Sequence, residues 1–517
     1  MRSKFKFVGL LAVVVVGILA MSGIAAGSAS AAACVKVKEP STEGSFKKRN
    51  ANTGMCEEEG TGAAAQYTEV TGLGRSIPKE PADVLCFKVA AGHTANSLWG
   101  NAECTEDVSG GGFIKALTAC EHPFLIMGQG SSLQKSAQQS VWNPESNCGV
   151  GYESTSSGSG RKAWGAESAG SATKPSNSGD EFIGSDEPLS EAQLKNLDEA
   201  ANGTYSKENT GGEGQTLVIP VLQAAVAVIV HPPAGCTPTQ INNKSLLKVW
   251  NGETKKWSEI KPTPSGTCTG SITRVVRADV SGTTFVFKTY LNEVEVSASG
   301  PAPCNKTWAE MAEPANNKVW PEASKEGCPA GLSPVKEAAE TGGGGEVNEV
   351  KATEGAIGYA NLGDARKGYT AKELEWLEVQ NNGTKETGTP TYAKAGTAGT
   401  EPGGTAAKAN CAETSYGTPP PATADDNLSE LNGAHPSATN YPICTLTYDI
   451  ALVNYEKAGY GVESSNISTA TSEYLNWVVS SSAGAGQEKI TENHDYDALP
   501  EGTGKILKFA QEVATKI

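Results

Sequence analysis

The stretch Ile272-Thr-Arg-Val-Val-Arg-Ala-Asp-Val-Ser-Gly-Thr-Thr-Phe-Val-Phe-Lys-Thr-Tyr-Leu291 carries the residues best suited to chemistry. Ile272 to Val276 reads as a short β-branched strand. Ser281-Gly282-Thr283-Thr284 reads as a helix start, because hydroxyl side chains cap free N–H groups there. Phe285, Phe287, Tyr290 and Leu291 would carry that helix into the core. A strand running through Arg277-Ala-Asp279 into such a helix start builds an anion seat. Backbone N–H groups point outward and the helix dipole favours negative charge. Gly282 lets the backbone approach a ligand. Arg277 adds a planar cationic fork suited to oxyanions, and Asp279 can hold that fork in place. An ordinary capped helix with an exposed Arg-Asp pair is built from the same residue types, and the stretch alone does not choose between the two.

The elements that must position this seat lie on both sides of it. Phe124-Leu-Ile-Met127 is a short apolar strand that runs into Gly128-Gln-Gly-Ser-Ser-Leu133 and then a polar helix with Trp142 near its end. Gly149 to Glu153 is a second candidate strand, followed by Ser156-Ser-Gly-Ser-Gly160. Glu181-Phe-Ile-Gly-Ser-Asp-Glu-Pro-Leu189 follows, with a helix from Ser190. Each of these segments ends in a small, hydroxyl-rich turn able to open a helix. Several such turns converging at strand C-termini would make an oxyanion pocket with many donors. Leu217 to Val230 is one long apolar run, and Pro220 argues against a single straight helix there. It reads as a buried strand crossing between two lobes, as does Tyr441 to Val453. Ala356 to Ala360 is another buried strand, and the glycine run from Thr341 to Gly345 reads as a flexible loop. Residues 380–440 are rich in Gly, Thr, Ala and Pro and read as an insertion pinned at Cys411.

Composition bounds the compartment and the partners. Arg2, Lys4 and Lys6, the apolar Val8 to Ala20 and the small residues Ser28 to Ala33 form a secretory signal over 1–33. The formal net charge is -16, and loss of those three cations makes the mature chain still more acidic. Such acidity argues against nucleic acid and against an anionic membrane surface. The expected location is periplasmic, or extracellular at the cell surface. The residue three places before Cys34 is Ala31, whereas a lipid-attachment box carries a Leu-like residue there, which argues against a lipid anchor at Cys34. The 12 cysteines are even in number, as expected for an exported chain. Pairing sequence neighbours gives Cys34–Cys56, Cys86–Cys104, Cys120–Cys148, Cys236–Cys268, Cys304–Cys328 and Cys411–Cys444. Each loop of this size contributes about 3 kcal/mol in the chain-entropy view. No Cys-x-x-Cys occurs and the five histidines are scattered, so neither a zinc site nor a cofactor is expected.

Residues 34–118 hold a weak repeat. Cys34-Val-Lys-Val37 recurs as Cys86-Phe-Lys-Val89, and Asn50-Ala51 before Cys56 recurs as Asn101-Ala102 before Cys104. Two small β-rich modules, each too small for a large core and stapled by a disulfide, fit this pattern. They would attach the chain to a cell-wall component or simply extend it.

From about residue 119 onward the order of motifs resembles the phosphate-binding proteins of the high-affinity phosphate ABC transporter, the PstS family. The resemblance rests on Gly128-Gln-Gly-Ser-Ser132, Ser156-Ser-Gly-Ser-Gly160, Phe182-Ile-Gly-Ser-Asp-Glu-Pro-Leu189, Val218-Ile-Pro-Val221 and Leu247-Lys-Val-Trp-Asn-Gly-Glu-Thr-Lys-Lys-Trp257. It continues through Arg277-Ala-Asp-Val-Ser-Gly-Thr-Thr-Phe285, Gly355-Ala-Ile-Gly-Tyr359, Tyr441-Pro-Ile443 and Leu499-Pro-Glu501. It implies an α/β fold of the two-lobed periplasmic-binding-protein type, a Venus flytrap that clasps inorganic phosphate. Lobe I would comprise residues 119–220 and 441–517, and lobe II residues 221–440 with the insertion. By position, Ser131, Ser132 and Leu133 would supply backbone N–H groups and the Ser132 hydroxyl. Ser157 would add a hydroxyl, and Arg277, Ser281, Gly282 and Thr283 the remaining donors, with Asp279 in support. Asp186 stands where the family has a carboxylate that accepts the phosphate's own proton. Sulfate has no such proton at neutral pH, so an ionised Asp186 would repel it. Ser132, Leu133 and Val280 replace the more usual Thr, Phe and Gly.

The expected function is therefore capture of phosphate and delivery to the permease of an ABC importer, without catalysis. A secreted phosphatase would need a metal cluster or an activated nucleophile, and Ser281 has no evident His partner. The alternative is a structural or adhesion protein acting through residues 34–118, with a vestigial oxyanion cleft.

Overall fold

The computed structural model describes residues 126–517, apart from 147–149, 168–173, 207–213, 299–303, 370–372, 384–388, 397–407, 412–415, 432–433, 435–438, 462–463, 492–493 and 502–505. Before residue 126 it describes only the backbone of five short strands, Val14–Val16, Val35–Lys38, Tyr67–Thr68, Phe87–Lys88 and Gly111–Ile114. The signal, the repeat modules as units and the pairs Cys34–Cys56, Cys86–Cys104 and Cys120–Cys148 lie outside the described residues.

The apolar runs of the sequence become the strands of one mixed sheet. In chain order these are β1 (Ile126–Gly130), β2 (Val150–Ser154), β3 (Phe182–Ser185), β4 (Thr216–His231), β5 (Thr273–Val276), β6 (Val335–Glu337), β7 (Ala356–Asn361) and β8 (Cys444–Leu452). The helices that matter for the site are α1 (Ser157–Ala163), α2 (Glu191–Ala200), α3 (Asn243–Trp250), α4 (Gly282–Ala298), α5 (Gly342–Ala352) and α6 (Leu362–Gly368). Sheet order is β6-β5-β7-β4-β8-β3-β1-β2. The outer strands on each side run parallel, β1 with β2 and β3, β5 with β6 and β7. Parallel neighbours need helical crossovers, which places helices over the sheet faces.

β4 ties the two halves together. Its first part, Thr216 to Ala225, pairs antiparallel with β8, and its second, Val226 to His231, pairs antiparallel with β7. Every residue of β4 except His231 is buried, as expected for a strand covered on both faces. Pro220, which cannot donate to a ladder, sits beside a register shift in the β4–β8 pairing: Tyr448 faces Pro220 and Thr447 faces Leu222, so Val221 is the extra residue. A bulge is where a sheet interior tolerates proline.

Local signals fixed the helix starts. Ser190 caps α2 in a reciprocal capping box with Gln193, and Asn242 caps α3 through its side chain. Trp142, Trp250 and Trp257 are buried packing residues, while Lys255 and Lys256 are exposed. The expected polar helix after Leu133 includes a π-helical stretch, Ala137–Trp142. Cys236–Cys268, Cys304–Cys328 and Cys411–Cys444 are disulfides, and the last joins the Gly/Thr/Pro-rich insertion to the start of β8.

Candidate functional site

The turns that follow β1, β2, β3 and β5 meet at one place. β1, β2 and β3 are parallel and point their C-terminal ends the same way. β5 runs opposite to them, through the antiparallel pairings of β4 with β7 and β8 and of β8 with β3, and brings its C-terminal end to theirs from the other side. After β1, Ser131 is fixed by its N–H, which donates to Gly184 O at 2.9 Å, and by its hydroxyl, which donates to Asp186 Oδ1. The same hydroxyl oxygen accepts the N–H groups of Leu133 and Gln134 at 3.1 and 3.2 Å. Leu133 is buried, and its carbonyl accepts the Tyr496 hydroxyl at 2.6 Å. After β2, Ser156 caps α1, and Ser157 presents its hydroxyl to the N–H of Asp186 at 3.2 Å. After β3, Asp186 is 1% exposed. Its carboxylate therefore sits in a dry environment, ringed by hydroxyls.

The other wall comes from β5 and α4. Arg277 is 2% exposed and grips Asp279 through two N–H groups, Nε to Oδ1 at 2.8 Å and Nη2 to Oδ2. This is the bidentate fork anticipated for Asp279. The remaining nitrogen, Arg277 Nη1, is buried and has no hydrogen-bond partner among the described residues. Ser281 caps α4 with its hydroxyl, which accepts the N–H of Thr284 at 3.2 Å. Phe287, Tyr290 and Leu291 are buried, while Phe285 is half-buried. The strand and the helix read from this stretch are both present, and of the Arg-Asp pair Arg277 is buried and Asp279 half-buried.

The two walls touch. The Thr283 hydroxyl donates to Asp186 Oδ2 at 3.3 Å, and Gly158 N–H donates to Val280 O at 3.4 Å. A β-carbon added to Gly282 would lie 2.7 Å from both Asp186 Cβ and Ser157 Oγ, so only glycine permits this approach. Val280 is not among the non-glycine residues with positive φ, and its β-branched side chain is accommodated against Gly158.

One correction concerns the run from Thr341 to Gly345. It is not a flexible loop but the first turn of α5. Gly343 N–H donates across the cleft to the Ser132 hydroxyl at 3.2 Å, and Gly342 N–H donates to Asp279 Oδ1 at 3.3 Å. A third helix N-terminus thus joins those of α1 and α4 at the same cleft. Glycine's poor helix propensity hid it. Its purpose here is close approach: a β-carbon at Gly343 would strike the Asp364 carboxylate, and one at Gly345 the Glu340 carbonyl.

Other supporting residues carry no local motif. Asn317 brackets Ser281, accepting its N–H at 2.9 Å and donating to its carbonyl at 3.1 Å. The segment holding Asn317 is tied to α4 by the buried Lys288 ammonium, which donates to the carbonyls of Met311, Asn317 and Val319. Burial without a counter-ion pulls the Lys288 pKa well down. Arg161 on α1 holds the turn around Asp186, donating to Ser185 Oγ at 3.0 Å and pairing with Glu187 at 2.6 Å. Burial still pushes the Glu187 carboxyl up to about 7. For Asp186 itself, burial raises the pKa, opposed by its hydrogen bonds from Ser131, Thr283 and Ser157 and by the charge of Arg277. No group of three or more His, Cys, Asp or Glu able to hold a metal occurs among the described residues.

A family model described as "PBP superfamily domain" matches residues 91–482. The chain belongs to the PBP superfamily. The match begins upstream of residue 119, so the superfamily domain overlaps the second of the two N-terminal repeat units. Solved structures share the fold. A phosphate-binding protein from Stenotrophomonas maltophilia superposes with a TM-score of 0.55 at 18% identity, over 75% of this chain and 93% of that one. A human phosphate binding apolipoprotein gives 0.52 at 20% identity, over 74% and 92%. A DING protein gives 0.51 at 20% identity, again over 74% and 92%. At these identities the likeness is one of fold. Comparison with curated proteins finds no match. For a PBP superfamily member, the α/β sheet with its long shared strand β4 follows the expected architecture.

Proposed function

We propose that the chain is an exported solute-binding protein that captures inorganic phosphate in this cleft and hands it to the permease of an ABC importer, without turnover. The observation that carries the reading is the buried carboxylate of Asp186, which accepts the hydroxyls of Ser131 and Thr283, together with Arg277 Nη1, which has no hydrogen-bond partner among the described residues. Hydrogen phosphate has bare oxygens that need donors and one proton that needs an acceptor. Two of the named structures with the same fold, those from Stenotrophomonas maltophilia and human, are phosphate-binding proteins, which supports the same ligand class here.

The phosphate oxygens would take Arg277 Nη1, the hydroxyls of Ser132, Ser157 and Ser281, and the Gly282 N–H. The Ser131 and Leu133 N–H groups and the Thr283 hydroxyl would join them by exchanging their present partners Gly184, Ser131 and Asp186 for the ligand. The phosphate proton would go to Asp186. Lobe I, residues 119–220 and 441–517, would supply Asp186 and the first two turns. Lobe II, residues 221–440, would supply Arg277 and α4. Residues 34–118 would serve attachment near the membrane, where a receptor must stay. No helix among the described residues is long and apolar enough to cross a membrane. Equilibrium titration of phosphate into ligand-stripped protein tests the reading. Saturable heat with one site per chain supports it, and no heat from folded protein sinks it.

A further inference from the structure

The wall that carries Arg277 holds a carboxylate for which the phosphate reading has no use. Glu346 lies on α5, one turn beyond Gly342, and is fully buried. Its Oε1 accepts the Tyr359 N–H at 3.0 Å, while Oε2 has no hydrogen-bond partner among the described residues. The charged and titratable groups facing it are Arg277 and Asp279 from the end of β5 and Tyr359 from β7. Arg277 is the one cation of that set, and Asp279 already occupies its Nε and Nη2. Asp364 on α6 and Asp186 across the cleft also feel the same guanidinium. An ionised Glu346 would be a buried charge with one oxygen unpaired, which proteins avoid by neutralising the group. Protonation removes the charge and makes Oε2 a donor. In accord with this geometry, burial holds the Glu346 carboxyl well above the usual carboxylate range, with Arg277 only partly opposing.

We propose that Glu346 is a neutral acid when the cleft binds an anion and that its ionisation weakens anion binding, which makes it the residue that sets the charge of this wall. The inference rests on the anion reading of the cleft. With Glu346 neutral, the Arg277–Asp279 pair has no net charge and Nη1 remains for the ligand. With Glu346 ionised, the wall turns net negative beside a doubly charged anion, in a dry site where such repulsion is strong.

The test is E346Q, which keeps the size and the acceptor for Tyr359 N–H but cannot ionise; E346M is the second neutral variant should the first fold poorly. Inorganic phosphate is titrated into the full chain, wild type and variant, from pH 6 to pH 10. The ratio of wild-type to variant Kd cancels the titration of phosphate and of Asp186. The ratio is expected to rise with pH by about tenfold or more. A ratio that does not change with pH overturns the proposal, since a merely structural glutamate gives a constant. Infrared difference spectra at neutral pH give a reading that needs no ligand. Wild type should show a protonated-carboxyl carbonyl band that E346Q lacks, and loss of carboxylate bands instead overturns the neutral state. If the wild type binds no phosphate at any pH, the parent reading fails first, and the infrared result still supports or overturns a neutral Glu346.

Discussion

Replacing Gly282 by alanine tests whether the two walls close as described. The added methyl would sit 2.7 Å from Asp186 Cβ and Ser157 Oγ and 3.0 Å from Asp186 Oδ2. Carbon atoms rest about 3.5–4.0 Å apart, so the walls must part by about 1 Å. That displacement stretches two cross-cleft hydrogen bonds that are already long, Thr283 to Asp186 at 3.3 Å and Gly158 to Val280 at 3.4 Å. Overpacking of this size costs about 1–3 kcal/mol, which is about 5- to 150-fold in Kd. The open protein should not suffer, because alanine at a helix start is no worse than glycine for the backbone. Calorimetric Kd for phosphate and the thermal midpoint without ligand separate the two effects. Weakened binding at an unchanged or higher midpoint is expected. Binding within twofold of wild type would refute the closed geometry at Gly282.

Other perturbations follow from the same contacts. Arg277→Lys loses the bidentate grip on Asp279 and the planar fork, and should weaken phosphate binding by about 10- to 100-fold in equilibrium titration with near-ultraviolet circular dichroism retained. Asp449 is fully buried, Gln138 Nε2 donates to its two oxygens at 3.3 and 3.0 Å, and burial pushes its pKa up to about 8 against the hydrogen bonds of Gln138 and Gln134. Because the folded pKa is raised, the stability this group confers is full below about pH 4 and is lost as pH rises towards about 8. Urea midpoints of Asp449→Asn should therefore fall less than those of wild type between pH 5 and pH 8, and parallel declines would contradict the buried-acid state. Asn317→Ala removes both brackets on Ser281 and should weaken phosphate binding about tenfold while leaving sulfate rejection intact, read by competition titration.

Much of the site was legible because local chemistry announces it. Capping hydroxyls after β-branched runs marked the turns that begin with Ser131, Ser156 and Ser281, and the Arg277-Ala-Asp279 spacing gave the fork. The crossing strand was legible from Pro220, which forbids a helix, although the bulge at Val221 that accommodates it was not. What stayed hidden depends on tertiary neighbours. The glycines of α5 read as a loop because their intrinsic preference is weak, and only the closeness of Asp364, Glu340 and Ser132 explains them. Asn317 stands 36 residues from its partner Ser281, and no spacing rule connects them. No local motif marks Glu346 or Lys288, and both are buried.

The central claim is that one carboxylate reads the ligand's proton. Phosphate should be titrated calorimetrically into ligand-stripped protein, with and without excess sulfate, for wild type and Asp186→Asn. The account predicts tight wild-type binding that sulfate does not displace, and weaker binding with relaxed sulfate rejection in the variant, since an amide can donate to an unprotonated oxygen. Equal displacement of phosphate by sulfate in the wild type, or unaltered selectivity in Asp186→Asn, would contradict it.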